Sequence, residues 1–142
     1  DVGLRKANAV GVIDMAKLEL MKTIETGPDA NRLYLNPGNS RYGLFANEAG
    51  KSDIVSIIDT QLDVKVKDIW TGLGPHNVAF DPDGKFAVIS TKKENVATLV
   101  DTGSADPNDW DVITTDLDSG IQNNGVRWVP SPAALKKALA QN

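Results

Sequence analysis

The sequence predicts an all-β fold built from four-stranded antiparallel blades of the β-propeller kind. Three observations predict it: a repeat with a period near 45 residues, four short β-prone runs in each repeat, and proline–glycine turns between them. The first copy runs through Val10-Gly11-Val12-Ile13-Asp14, Lys22-Thr23-Ile24-Glu25-Thr26-Gly27, Leu33-Tyr34-Leu35-Asn36-Pro37 and Arg41-Tyr42-Gly43-Leu44-Phe45-Ala46-Asn47. The second runs through Val55-Ser56-Ile57-Ile58-Asp59, Lys67-Asp68-Ile69-Trp70-Thr71-Gly72, Val78-Ala79-Phe80-Asp81-Pro82 and Lys85-Phe86-Ala87-Val88-Ile89-Ser90-Thr91. Asp14 and Asp59, Gly27 and Gly72, and Pro37 and Pro82 each lie 45 positions apart. A third, more divergent copy passes through Ala97-Thr98-Leu99-Val100-Asp101, a longer insertion, and Gly125-Val126-Arg127-Trp128-Val129-Pro130.

Strands are labelled A to D from the propeller axis outward. Residues 9–14 and 20–24 are expected to form strands C and D of a broken first blade, a partial blade at 9–24. A whole blade spans 32–70, with A at 32–35, B at 41–47, C at 54–59 and D at 64–70. Another spans 76–115, with A at 76–80, B at 85–91, C at 96–101 and D at 110–115. Residues 125–130 hold a further partial blade, its strand A at 125–129. The turn Asp81-Pro82-Asp83-Gly84 suits an A–B hairpin, because proline presets φ and glycine accepts positive φ; Asn36-Pro37-Gly38-Asn39 does the same work one repeat earlier. The largely apolar runs at 54–58 and 96–100 suit strands covered on both faces by neighbouring blades. Blade repeats therefore occupy 1–130. The tail at 131–142 reads as a short helix, capped by Ser131 with Pro132 in its first turn and rich in alanine, leucine and lysine.

Composition excludes several functions. The 142 residues include no cysteine, which removes disulfides, thiolate metal sites and cysteine nucleophiles. The net charge is −4, and the 15 basic residues are scattered, adjacent only at Arg5-Lys6, Lys92-Lys93 and Lys136-Lys137; a nucleic-acid partner would need a basic stripe. No apolar run approaches the roughly 18 residues of a membrane span. The chain begins at Asp1, which leads to the expectation of a segment removed ahead of it. There is no phosphate-binding glycine loop and no His-Glu-x-x-His, so no catalytic set stands out.

The stretch 74–91, from Gly74-Pro75-His76-Asn77 to Ser90-Thr91, resembles the YVTN-type propeller repeat, as do Ile57-Ile58-Asp59-Thr60 and the run 41–47. The resemblance covers about 9–130. Its wider group includes surface-layer propellers, lactonase-like propellers, the cytochrome d1 haem domain and the propeller of nitrous oxide reductase. It implies a periplasmic or extracellular location. It also implies more blades than are present, since a closed propeller takes about four to eight. The missing blades come from the same chain or from partner chains. Two copies could in principle close a six-bladed ring, because the terminal pieces are complementary parts of one blade. A longer protein or a heteromeric complex is the preferred expectation over such a homo-oligomer.

Propeller ligands gather where inner strands converge on the axis. His76, the sole histidine, stands at the start of a strand A and is the candidate metal and cofactor ligand, for copper or haem in a complete assembly. One histidine is not a metal site, and its simpler role is to hydrogen-bond a loop between blades. The Asp-rich loops 101–109 and 116–124 lack the EF-hand pattern and read as turns rather than calcium sites. Asp14, Asp59 and Asp101 recur at strand ends, as turn-forming residues do. Trp70 and Trp110 are expected to pack at the rim, and Trp128 to face the channel or a blade face. The main functional expectation is an extracytoplasmic binding or scaffold module within a larger protein or complex. The alternative is the propeller part of a periplasmic copper- or haem-dependent oxidoreductase with its cofactor on the axis. A lactonase-like hydrolase would need axial acids and histidines that these residues do not supply.

Overall fold

The structure is a computed structural model that describes residues 2–4, 8–48, 51–119, 125–127 and 129. Eleven strands among these form three antiparallel sheets. The first sheet orders β1 (Val2–Leu4), β2 (Ala9–Asp14) and β3 (Glu19–Glu25) side by side. The first whole blade orders β4 (Ala30–Leu35), β5 (Tyr42–Asn47), β6 (Ile54–Asp59) and β7 (Val64–Trp70). The second orders β8 (Pro75–Phe80), β9 (Phe86–Thr91), β10 (Val96–Asp101) and β11 (Asp111–Asp118). The three sheets do not close into a ring.

The first sheet has three strands where two were expected. Val2–Leu4 pairs with Ala9–Gly11 and supplies a strand B. It is only three residues long and has no counterpart motif in the repeat, so periodicity could not mark it. At the other end, the strand A read at 125–129 falls partly outside the described residues; residues 125–127 and 129 themselves carry no strand. A lone inner strand has no ladder to join until a second strand lies beside it. Trp128 and the helix expected at 131–142 lie outside the described residues.

Side-chain alternation explains how the sheets stack. In β5, Leu44 belongs to the core shared with the second blade, whereas Phe45 belongs to the core shared with the first sheet. In β6, Val55 and Ile57 join the former and Ile58 the latter. Both faces of this blade are covered, so five successive residues of β6, Val55 to Asp59, are buried. The seam between the two whole blades is filled by Leu44, Val55, Ile57 and Ile69 from one side and Val78, Ala87, Ile89, Val100 and Trp110 from the other. Each fully buried aliphatic side chain there stabilises the stack by roughly 1.5–3 kcal/mol.

The hairpins follow local chemistry. Asp14 Oδ1 accepts from the amides of Ala16 and Lys17, and Asp59 Oδ1 from those of Gln61 and Leu62. Asp101 Oδ1 accepts from Gly103 N. The recurring aspartates therefore close C–D turns. The register of every C–D ladder shifts near the same repeat position, after Val12, Ile57 and Leu99, which bends and twists each outer strand.

Candidate functional site

The loop leading into β8 is built to hold His76 in place. Gly72 and Gly74 adopt φ of +96° and +70°, a region that favours glycine. The loop is tied to both neighbouring B–C connections. Gly74 N donates to Ser52 O at 2.7 Å, Lys92 N to Gly74 O at 2.7 Å, and Leu73 N to Glu94 Oε2 at 3.1 Å. His76 emerges at the inner edge of the second blade, facing the end of β5 in the first.

Its imidazole is engaged on both nitrogens. Nε2 lies 3.3 Å from Glu48 Oε1, and Nδ1 lies 2.9 Å from Asn77 Nδ2. Tyr34 on β4 donates its hydroxyl to Asn77 Oδ1 at 2.5 Å, which turns the Asn77 amide so that its N–H faces the ring. Nδ1 then accepts from Asn77 and Nε2 donates to Glu48. The Glu48 carboxylate is the hub. It also accepts from Lys92 Nζ at 2.8 Å and from Asn31 Nδ2. Its side chain is only 11% exposed, so these charge-assisted bonds form in a sheltered place where they are stronger than at an open surface. The cluster spans the seam: Asn31, Tyr34 and Glu48 belong to the first whole blade, and His76, Asn77 and Lys92 to the second.

Only His76 in this cluster was singled out by its residue type. A signal for the others existed in the repeat. Asn31 and His76 are 45 positions apart and stand at equivalent places in strand A. Glu48 and Lys92 each directly follow a strand B. Opposite charges at equivalent positions of consecutive repeats are candidates for a pair across the seam.

The donor set does not fit a metal held by these residues alone. Among the described residues no group of three or more His, Cys, Asp or Glu converges on a point. His76 Nε2 is committed to Glu48, and the Lys92 ammonium lies against the same carboxylate oxygen. The cluster instead commits its hydrogen-bonding groups to one another across the seam.

The loop 101–109 is organised by internal bonds. Ser104 Oγ donates to Asp109, and Asp106 caps a short 3-10 turn at Pro107–Asp109 by accepting from Asn108 N. That backbone bond, with help from the Asn108 amide and the nearby Lys67, holds the Asp106 carboxyl below the usual carboxylate range. The other Asp-rich loop lies largely outside the described residues. The two rim tryptophans differ. Trp110 is buried in the seam, edge-on to Tyr42 with centroids 6.1 Å apart, and its Nε1 donates to Ser104 O. Trp70, expected to pack, is 56% exposed and is tethered only through Nε1 to Asp53. It ends β7 on the face opposite Ile69, which takes the core position.

A cleft of about 250 Å³ opens at the other end of the seam, lined by Asn36, Asp83, Lys85, Ser104 and Trp110 among others. It lies beside the A–B hairpins, at the end of β8 away from His76. There Asn36 Nδ2 reaches across to Gly84 O at 2.7 Å and Thr102 Oγ1 bonds the same carbonyl at 2.8 Å.

No family model matches the chain, and no curated protein matches it in sequence. Solved structures do match in shape. Hydrazine synthase of Kuenenia stuttgartiensis is similar over 78% of this chain and 31% of its own, with 23% identity and a TM-score of 0.64. Dihydro-heme d1 dehydrogenase NirN is similar over 91% of this chain and 27% of its own, at 18% identity and a TM-score of 0.65. A putative 6-phosphogluconolactonase from Bacteroides fragilis is similar over 82% of this chain and 35% of its own, at 21% identity and a TM-score of 0.62. The chain thus spans about a third of the length of the structures it matches. At these identities the likeness shows the fold alone: the described residues form an incomplete arc of β-propeller blades.

Proposed function

We propose that this chain is a YVTN-type propeller segment located outside the cytoplasm, where it acts as a binding or scaffold module within a larger protein or complex. The observation that carries the reading is an arc of two whole blades and one three-stranded sheet without a closed ring. Its end faces await further blades. The resemblance of 74–91 to YVTN repeats supports the location.

A second reading keeps His76 as a copper or haem ligand in a periplasmic oxidoreductase. The names of two similar structures, hydrazine synthase and dihydro-heme d1 dehydrogenase, favour it. It requires His76 to leave Glu48 and further ligands to come from blades outside the described residues.

The test is the native particle that contains this chain. Its mass is expected to exceed the 15.2 kDa of the chain, without copper, iron or haem that depends on His76. A native particle of 15.2 kDa with a cooperative melt overturns the module reading. Stoichiometric metal or haem that is lost in His76→Ala replaces it with the second reading. Fractionation that places the protein in the cytoplasm overturns the location.

A further inference from the structure

The connection between β10 and β11 is longer than the fold requires. The matching turns of the other two sheets take four residues each, 15–18 and 60–63, whereas this one takes nine, 102–110. Hairpin loops commonly run to about 2–5 residues. The extra residues are ordered. Ser104 O accepts from Trp110 Nε1 at 2.9 Å, and Ser104 Oγ donates to Asp109 at 3.0 Å. The first blade grips the same loop through Lys67 Nζ, which donates to Asn108 O at 2.6 Å and to Trp110 O at 2.7 Å. An insertion held by both blades has a role beyond closing a turn.

Its effect is to wall the cleft of about 250 Å³ at the hairpin end of the seam. The hairpin at 36–39 of the first blade stands on one side, and residues 83–85 with the insertion stand on the other. The buried Asn36 and Thr102 both bond Gly84 O, which fixes these walls relative to one another.

Most polar side chains around the cleft are engaged within the protein. Three groups are not. Among the described residues the Asp83 carboxylate, the Lys85 ammonium and the Asn39 Nδ2 make no hydrogen bond or ion pair. At the equivalent positions of the first blade stand Gly38 and Ser40, which carry no charge. The two charges are therefore particular to the hairpin that faces the insertion.

Asp83 and Lys85 are two residues apart, so their Cα atoms lie within about 7 Å of each other. They nonetheless do not pair. A carboxylate and an ammonium this close, both unpaired and both lining one cleft, match a ligand that carries the same two charges on neighbouring atoms. The Asn39 amide adds a donor for a carboxylate oxygen. No other charged side chain lines the cleft, so the remainder of the ligand carries no charge. The space equals on the order of eight water molecules at about 30 Å³ each, which suits a ligand of roughly eight non-hydrogen atoms.

We propose that this cleft binds a free α-amino acid with a short apolar side chain. Lys85 and Asn39 take its carboxylate, and Asp83 takes its ammonium group. The site lies wholly within the two whole blades, so it does not depend on what completes the arc.

The test is isothermal titration calorimetry of the full chain with L-valine. The controls are 3-methylbutanoate, which lacks the amine, and 2-methylpropylamine, which lacks the carboxylate. Valine is expected to saturate the chain below about 10 mM, and each control to bind at least about tenfold more weakly. Lys85→Met and Asp83→Asn are each expected to weaken valine binding about tenfold, while Asp83→Asn leaves the affinity for 3-methylbutanoate unchanged. Ala105→Phe, which fills the cleft and leaves both charges in place, is expected to abolish binding. Failure of valine to bind, or equal affinity for either control, overturns the amino-acid assignment. Valine affinity that is unchanged in the charge variants or in Ala105→Phe overturns the location. None of these results bears on the incomplete arc, which the mass of the native particle tests separately.

Discussion

Replacing Gly84 with alanine tests how the two A–B hairpins lock together. Gly84 has φ of +69°, where an L side chain costs about 1–2 kcal/mol. A Cβ built there would fall on Asn36 Oδ1 and lie 2.6 Å from Gly38 N, so the hairpins must separate. Separation breaks the 2.7 Å bond from Asn36 Nδ2 to the Gly84 carbonyl, while Thr102, in the same blade as Gly84, keeps its 2.8 Å bond. The Asn36 donor is buried, and leaving it without a partner costs about 1–3 kcal/mol. With partial relaxation the loss comes to about 2–4 kcal/mol, a large share of the roughly 5–15 kcal/mol that holds a domain folded. Urea unfolding followed by tryptophan fluorescence measures it, and the midpoint is expected to fall by about 1–2 M. The side-chain part of the cause is isolated in an Asn36→Ala background, where the clash with Asn36 is gone, the 2.6 Å approach to Gly38 N remains, and Gly84→Ala is expected to cost less than in the wild-type background. A loss below about 1 kcal/mol in the wild-type background, or an equal loss in both, refutes the reasoning.

Asp59 is held below the usual carboxylate range, first by the Arg41 side chain at 2.6–2.9 Å and further by the amides of Leu62 and Gln61. Its contribution to stability is therefore fully present above its unfolded value of about 3.9 and is lost as the pH falls through the lower folded value. Thermal melts from about pH 6 down to pH 2 are expected to show a shallower acid loss in Asp59→Asn than in wild type, and identical slopes would contradict the assignment. Trp110→Ala removes a ring packed in the seam and is expected to cost about 3–5 kcal/mol, whereas Trp70→Ala, at an exposed ring, is expected to stay within about 1 kcal/mol. Chemical denaturation distinguishes the two, and comparable losses would show that the rings share one role.

The repeat made most of the backbone legible. The interval of 45 residues, the aspartates that end each strand C and the proline–glycine hairpins are local features, and each strand of the two whole blades lies within three residues of its expected bounds at either end. β1 escaped because three residues carry no period. The strand expected at 125–129 falls partly outside the described residues, and its motif is that of an inner strand with no described neighbour to pair with. The tryptophans show another boundary of local reading. Both sit beside a strand D, yet only Trp110 is turned into the seam, by the 3-10 turn that precedes it.

The sequence by itself determined the class of fold, the strand order within each blade and the turn chemistry, because those depend on neighbours along the chain. Tertiary structure alone decided which residues share the seam. Glu48 meets His76 and Lys92 across separations of 28 and 44 residues, and Asn36 meets Gly84 across 48. These meetings depend on how far one blade is rotated and shifted against the next. That offset is set by the packing of Leu44, Ile57, Ile89, Val100 and Trp110 in the seam, a collective property that no local window contains.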